Sequence, residues 1–471
     1  MAAAPPSDWT GAAAWNLGAH LRHINTAPAL YFDGDCLTYS DLFRFAHARM
    51  REHNRAGLPE AAVLALDCRD PLAAIVEMWA LWLGGRCAAP LSARWTAEQR
   101  RSFAELIGAA RLMSADNEFV HGLPLLRPPD LRSAVNPVDA GSLELNTTIP
   151  ATIVATSGSS GRPKAAQHAA AQHLWSAQGS GANIPLERGD VCALTLPLFH
   201  VGGLALLWRC FLSGAALLIR RGDVSASDLA LDERATHVSM VPTQLYRLLK
   251  RDAAFRNPAW KAVLLGGDAA PAALIEQALA AGIPLHTTYG CTEMSSQVTT
   301  TRPGASAAEL NSAGALLPQR ELSLAADGEI LLRGRTLFTG YRQAAGALDA
   351  ARDAEGWYHS GDLGRRDKQE NLHVIGRKDN MFICGGENIQ PESIERELLN
   401  IAGIVRAVVI GREDAEYGRR PFAFVESEGD IDEDAIRGRL RERLPGLWIP
   451  SGFAALPPQG NAMKIDRRAL H

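Results

Sequence analysis

The chain has 471 residues, 47% hydrophobic and 21% charged, with 48 Lys and Arg against 52 Asp and Glu and a formal net charge of −4. That length exceeds what one compact core serves, so two or more domains are expected. The near-neutral balance, without a block of like charges, excludes a dedicated nucleic-acid surface.

Residues 1–8 hold no basic residue and no apolar core, which excludes a secretory signal. Residues 62–66 read as a buried strand and 71–83 as the helix after it. This helix, through Gly84, is the most apolar stretch of the chain, but Glu77 breaks it and it is too short to cross a bilayer. The β-branched run 152–154 reads as a strand; a Ser/Gly-rich segment follows, then a helix-prone stretch over 165–178. Apolar strands are expected at 191–195, 215–219, 238–241 and 262–265, with helices at 242–250 and 271–281. Continuous apolar strands joined by helical crossovers predict an α/β architecture with sheets covered on both faces. Ligands in such folds sit beyond the carboxyl ends of the strands, where the Gly158 and Gly266-Gly267 turns fall. Past residue 320 the texture changes to short strands (329–332, 371–375, 381–383) and tight turns. A separate small α+β unit is expected from about Lys378, with helices at 391–399 and 432–444 and strands at 405–410 and 422–425. The cysteines, at 36, 68, 87, 192, 210, 291 and 384, form no C-x-x-C pair. They read as reduced thiols of a soluble, cytoplasmic chain, not as a disulfide framework or zinc site.

Five motifs carry chemistry. In Thr156-Ser157-Gly158-Ser159-Ser160-Gly161-Arg162-Pro163-Lys164, the glycines let backbone N–H groups converge, and the hydroxyls and lysine add donors, as a polyphosphate requires. A Walker A loop needs lysine directly after its second glycine and Ser or Thr after the lysine. Here Arg162 and Pro163 intervene and Ala165 follows, which argues against a P-loop kinase; an unliganded Gly/Ser turn is the plain alternative. In Tyr289-Gly290-Cys291-Thr292-Glu293, a tyrosine can stack on a purine and Thr–Glu can hold a phosphate oxygen and Mg²⁺; a buried tyrosine before a turn is the alternative. Asp362, on a Gly-flanked turn, suits both hydroxyls of a ribose, with Arg377 bridging; an Asx-turn with a surface cation is the alternative. Gly385-Gly386, before Pro391, is either a narrow backbone passage or a simple strand-to-helix turn. Lys464, on a Gly/Asn loop, can reach a distant cleft and stabilise charge developing on carboxylate and phosphate, or is a solvated surface lysine.

In their order and approximate spacing over 155–467, these motifs resemble those of the adenylate-forming superfamily: acyl-CoA synthetases, adenylation domains and luciferases. The resemblance implies a large multi-subdomain N-terminal domain of α/β layers, residues 1–378, and a small mobile α+β C-terminal lid, residues 379–471. It implies a two-step reaction, in which a carboxylate and Mg·ATP give acyl-AMP and pyrophosphate, and a thiol then displaces AMP. Carried over, Thr156, Ser157, Gly158, Ser159, Ser160, Gly161 and Lys164 would cradle the pyrophosphate moiety. Gly266, Gly267, Asp268 and Tyr289 would frame adenine, Thr292 and Glu293 would serve phosphate and Mg²⁺, and Asp362 and Arg377 the ribose. Lys464 would catalyse the first step, and Gly385 and Gly386 would line the CoA pantetheine tunnel. His200 resembles the aromatic gate between acyl site and tunnel, with a packed histidine as alternative. The implied partners are a small carboxylic acid, ATP and CoA, with a carrier protein as alternative acceptor and a homodimer left open; nucleic acid and membrane insertion are not expected. A non-catalytic nucleotide-binding regulator is the reading from another class, and the joint retention of Lys464, Glu293 and Asp362 speaks against it.

A finer likeness is to the family of o-succinylbenzoate–CoA ligases of menaquinone biosynthesis. It is carried by Pro163 to His168, Leu196 to His200, Trp208-Arg209, Val241 to Leu245, Lys261 to Gly267 and Gly386 to Glu392. That acid has two carboxylates, one activated and one left charged. Arg209, in the largely apolar run 204–212, is the implied partner of the second; a structural ion pair is the alternative. Gly202 stands where that family tends to carry serine and Gln297 where threonine is common. Both are acid-pocket positions in the resemblance, so another aryl or medium-chain acid is the alternative substrate.

Overall fold

The computed structural model describes residues 11–116, 120, 123–129, 143–156, 163–220, 226–251, 257–457 and 467–470. Among these, the larger sheet has nine strands. Its centre is parallel: Leu285–Cys291, Ala262–Leu265, His237–Met240, Val191–Ala193, Ala216–Ile219 and Pro28–Phe32 lie side by side. A second sheet of eight strands has a parallel centre around Cys87–Leu91 and Val63–Asp67 and turns antiparallel from Pro150–Thr156 outward. The strands 320–324, 329–334, 358–366 and 372–377 form an antiparallel sheet of four. The C-terminal part has its own core, drawn from Phe382 to Phe453, around the strands Ile404–Asp414, Gly418–Ser427 and Phe453–Ala455. Helices Pro391–Leu399 and Glu433–Arg441 contribute Ile394, Leu398, Ile436 and Leu440 to that core. All seven cysteines are free, and among the described residues no helix is long and apolar enough to cross a membrane.

Local chemistry accounts for the helix at Pro71–Leu83. Pro71 opens it, the Asp70 carboxylate accepts the N–H groups of Leu72 (3.1 Å) and Ala73 (3.2 Å), and Gly84 ends it. Glu77, the residue that interrupts this apolar stretch, is fully buried and accepts Arg49 Nε at 2.7 Å, with His53 Nε2 also at 2.7 Å. The charge is kept inside by partners from another helix.

This helix packs against Val201–Ser213, which carries Trp208 and Arg209. The Trp79 ring meets Phe43 (5.0 Å), Trp82 (5.0 Å), Trp208 (5.3 Å) and Phe211 (4.6 Å), centroid to centroid. Trp79→Ala is expected to destabilise the protein by about 3–5 kcal/mol, because the rings around it cannot collapse into the space. Chemical denaturation measures this; a midpoint unchanged from wild type contradicts it.

The structure corrects three local expectations. Residues 165–178 are not one helix: Lys164–Ala169 is a strand, and the helix spans Ala170–Asn183. The strand is paired on both sides, with Pro150–Thr156 and Gly340–Arg342, and these non-local bonds override a helix-prone composition. The strands on either side of the Ser/Gly segment are therefore antiparallel partners, Thr156 standing opposite Lys164. Asp362 lies within the strand Tyr358–Arg366, not on a turn, beside a bulge at Leu363/Gly364. Gly385-Gly386 is the two-residue loop of a hairpin between Phe382–Cys384 and Glu387–Ile389, not a strand-to-helix turn. Its φ angles of 56° and 87° are what such a loop demands and what glycine adopts without strain.

Candidate active site

The parallel strands end together. Gly266 follows Ala262–Leu265, and a Cβ there would stand 2.7 Å from the Thr288 methyl of the neighbouring strand. Gly267, at φ 86°, turns the chain away and leads to the exposed Asp268. Tyr289 comes from Leu285–Cys291, and its hydroxyl donates to Asp362 Oδ2 at 2.7 Å. Burial and the Asp362 carboxylate push this phenol well above its usual value, so it stays a donor. Asp362 and Arg377 are register partners, and Arg377 donates to Asp362 Oδ1 at 3.2 Å and to the Ser360 carbonyl at 2.9 Å. Against the effect of burial, Asp379 and Asp362 hold the guanidinium above its usual value. Gly361 stands at φ 71°, a conformation that favours glycine, and a Cβ there would lie 2.8 Å from the Arg377 guanidinium. Gly266, Gly267, Asp268, Tyr289, Asp362 and Arg377 are thus placed by adjoining strand ends and one cross-strand pair.

Thr292 and Glu293 lie in a single 3-10 turn, Thr292–Met294. His168 Nε2 bonds the Thr292 carbonyl at 2.8 Å, and the Phe338 N–H donates to the Glu293 carbonyl at 2.7 Å. Burial holds His168 down to about 4, so the ring is neutral and its Nε2–H donates. The Glu293 side chain is buried; Oε1 accepts the Tyr341 hydroxyl at 2.5 Å, and Oε2 accepts no hydrogen bond from the described residues. Tyr341 also lies under Lys164, whose Nζ is 4.8 Å from the ring centroid. Tyr341 thus links the lysine of the first motif to the carboxylate of the second, a role that no sequence signal marked. A carboxylate with one oxygen anchored and one open fits Mg²⁺ delivered on a nucleotide, which takes one or two protein carboxylates. Ser157, Gly158, Ser159, Ser160, Gly161 and Lys464 lie outside the described residues.

His200 directly precedes the helix Val201–Ser213, its ring 4.8 Å from that of Phe199. Gly203 admits no side chain, because a Cβ would meet the Pro197 carbonyl at 2.3 Å. Gly202 is limited only by the Leu196 methyl at 2.9 Å, a tip that can move for a small residue. Gln297 is buried with both ends of its amide engaged, Oε1 by the Ser180 hydroxyl (2.6 Å) and Nε2 by Thr300 Oγ1 (2.8 Å). Arg209 is only 8% exposed, yet no carboxylate among the described residues pairs with it and its Nε has no partner. Asp190, whose charge acts on Cys192 and His237 in the direction opposite to that of Arg209, is taken by Lys261 at 2.7 Å. Arg209 borders a small cavity with His237, Ser239 and Leu264. Ser239 and Leu264 are register partners two residues short of the Val241 and Gly266 turns.

The C-terminal segment is anchored at Arg467, whose guanidinium grips both oxygens of Glu395, one at 2.7 Å, and donates to the Val409 carbonyl at 2.8 Å. Although burial opposes it, Glu395, Glu392 and Asp268 hold Arg467 above its usual value. Arg467, three residues after Lys464, is therefore within electrostatic reach of Asp268 in the Gly266–Asp268 turn. Gly385 packs on Tyr417 and Leu447, while nothing approaches Gly386 among the described residues.

Residues 20–342 match the family described as AMP-binding enzyme. The chain is 32% identical over 462 residues to a 2-succinylbenzoate–CoA ligase of Oceanobacillus iheyensis, covering 93% of this chain and 94% of that one. It superposes with a TM-score of 0.85 on o-succinylbenzoate CoA synthetase (MenE) of Bacillus subtilis in complex with the acyl-adenylate intermediate OSB-AMP, at 26% identity over 94% of this chain and 95% of that one. The same enzyme in complex with ATP and magnesium ion gives 0.84, at 27% identity over 93% and 95%. The chain belongs to the AMP-binding enzyme family, the adenylate-forming superfamily.

Proposed function

We propose that this protein is an ATP-dependent acid–CoA ligase that activates o-succinylbenzoate as acyl-AMP and transfers the acyl group to CoA, giving o-succinylbenzoyl-CoA for menaquinone biosynthesis. One observation carries the choice of acid: Arg209 is a buried cation with no carboxylate partner among the described residues. A lone charge in such a place is costly, and an anionic ligand that supplies the missing carboxylate relieves it. Two residues of strand, about 7 Å, separate Leu264 beside Arg209 from the Gly266 turn. An aryl dicarboxylate can bridge that span, with one carboxylate at Arg209 and the other toward the nucleotide. The names of the relatives and the OSB-AMP held by the B. subtilis enzyme support the same reading.

The chemistry follows from leaving groups. A carboxylate is a poor acyl donor, so its oxygen first attacks the α-phosphate of ATP and the bond to pyrophosphate breaks. A thiolate then attacks the acyl carbon, and the C–O bond to AMP breaks. Ser157 to Lys164 cradle the departing pyrophosphate, Gly266, Gly267, Asp268 and Tyr289 frame adenine, and Asp362 with Arg377 hold the ribose. Glu293 and Thr292 serve the phosphates and Mg²⁺, which, when bound, offsets the triphosphate charge. Lys464 assists the first step. Residues 379–471, as a mobile lid, then present Gly385 and Gly386 to pantetheine, with His200 as the gate. Unpaired thiols and the use of ATP and CoA suit the cytoplasm.

Asp362→Ala is expected to raise KM for ATP roughly 10- to 100-fold, the scale of a charge-assisted hydrogen bond, with KM for the acid little changed. Initial-rate kinetics in each substrate check this; equal changes in both remove Asp362 from the ribose. The reading as a whole is tested by acid-dependent pyrophosphate release with Mg·ATP and CoA, comparing o-succinylbenzoate with benzoate and medium-chain fatty acids. Strong preference for o-succinylbenzoate is expected. Preference for another acid keeps the reaction and replaces the substrate, an outcome to which the Gly202 and Gln297 departures point.

A further inference from the structure

Arg320 opens the strand Arg320–Leu324 and is 5% exposed. Burial pushes its guanidinium down to about 9, and no carboxylate among the described residues pairs with it. Its N–H groups reach oxygen atoms of separate segments instead. Nε donates to the Gln297 carbonyl at 2.7 Å and one terminal nitrogen to the Pro318 carbonyl at 2.7 Å. The other donates to the hydroxyl and the carbonyl of Ser176, at 3.0 and 3.2 Å. The guanidinium has room beside the helix Ala170–Asn183 only because residue 179 is glycine: a Cβ there would stand 2.1 Å from it.

Ser176 passes the contact on, donating its hydroxyl to the Ser295 carbonyl at 2.8 Å. Ser295 and Ser296 both have positive φ, 56° and 115°, which non-glycine residues adopt only under constraint. They directly follow the turn Thr292–Met294, and the Ser295 hydroxyl donates to the Thr336 carbonyl at 2.9 Å. The strained pair is thus pinned on one side by Thr336 and on the other by Ser176, and Arg320 fixes both Ser176 and the Gln297 backbone that comes next. A planar fork holds its donors in fixed, spread directions toward three segments; a lysine ammonium is a compact point charge on a flexible stem and does not.

We infer that Arg320 is a positioning residue for the adenylation half-reaction: through Ser176 and Gln297 it holds the strained Ser295–Ser296 backbone that aims Thr292 and Glu293 at the nucleotide phosphates. This rests on Thr292 and Glu293 serving Mg·ATP as proposed above. Strain of this kind persists only where the surroundings over-determine it, so loosening the brace lets the turn relax and moves Glu293 off its target.

The test uses the full chain with Ser176→Ala, which removes one hydroxyl, and Arg320→Lys, which keeps the charge and loses the fork. Pyrophosphate release, thioester formation from supplied acyl-adenylate, and Tm are measured for each. Both variants are expected to raise KM for Mg·ATP, by about tenfold for Arg320→Lys on the scale of a lost charge-assisted bond, and less for Ser176→Ala. Thioester formation stays within about twofold of wild type. Equal losses in the two half-reactions, or no loss in either, overturn the proposal; Ser176→Ala keeps the test decisive if Arg320→Lys fails to fold. Glu293→Gln separates the two levels. If it leaves KM for Mg·ATP unchanged, the reading beneath the proposal fails with it; if it is impaired while both other variants are normal, the positioning role alone is wrong.

Discussion

Lys464→Ala is expected to slow acyl-AMP formation at least about a hundredfold, the scale of losing one preorganised charge-stabilising group. Thioester formation from supplied acyl-AMP is expected to stay close to wild type. Only the first step builds negative charge between a carboxylate and the α-phosphate, so only that step needs a cation there. Arg467, anchored on Glu395 and within reach of Asp268, holds the end of this motif close to the Gly266–Asp268 turn. Assaying each half-reaction separately decides the matter. Equal loss in both places the lysine in a general structural role and removes the assignment of the two steps to two lid positions.

Arg209→Ala is expected to raise KM for o-succinylbenzoate by roughly 30-fold or more, since truncating one partner of a buried hydrogen-bonded charge pair costs about 2–5 kcal/mol. KM for a monocarboxylic aryl acid should change little or fall, because the variant no longer buries an unpaired cation beside an apolar ligand. The contrast between the two acids, not the size of either change, is the informative quantity. Loss of packing around Trp208 and Phe211, the fully buried neighbours on the same helix, would affect both acids alike. Parallel changes therefore remove Arg209 from the acid site.

Much of the site was legible because its chemistry is local. The turn after Ala262–Leu265 falls at Gly266-Gly267, where the paired glycines mark it, and Pro71 with Asp70 starts a helix; each is a property of residue type at a fixed spacing. The apolar strands at 191–193, 216–219, 237–240 and 262–265 were legible for the same reason: burial on both faces leaves a continuous hydrophobic run. What sequence missed is held by distant partners. Lys164–Ala169 is a strand because residues 150–156 and 340–342 bond to its two edges. Glu77 is tolerated inside because Arg49 and His53 reach it from another helix. Tyr341 and Arg320 carry no motif, since their importance lies in the atoms they join: Glu293 to Lys164 in one case, Gln297 to Ser176 in the other. Arg209 was legible as a candidate, but its missing partner was visible only once the helix was packed.

Activation of o-succinylbenzoate as an acyl-adenylate is checked with substrate carrying ¹⁸O in its carboxyl groups, turned over with Mg·ATP and CoA. If the carboxylate oxygen attacks the α-phosphate and AMP later leaves with that oxygen, one ¹⁸O is found in AMP and none in pyrophosphate. Unlabelled AMP, or label in a phosphate released alongside ADP, contradicts an acyl-adenylate intermediate.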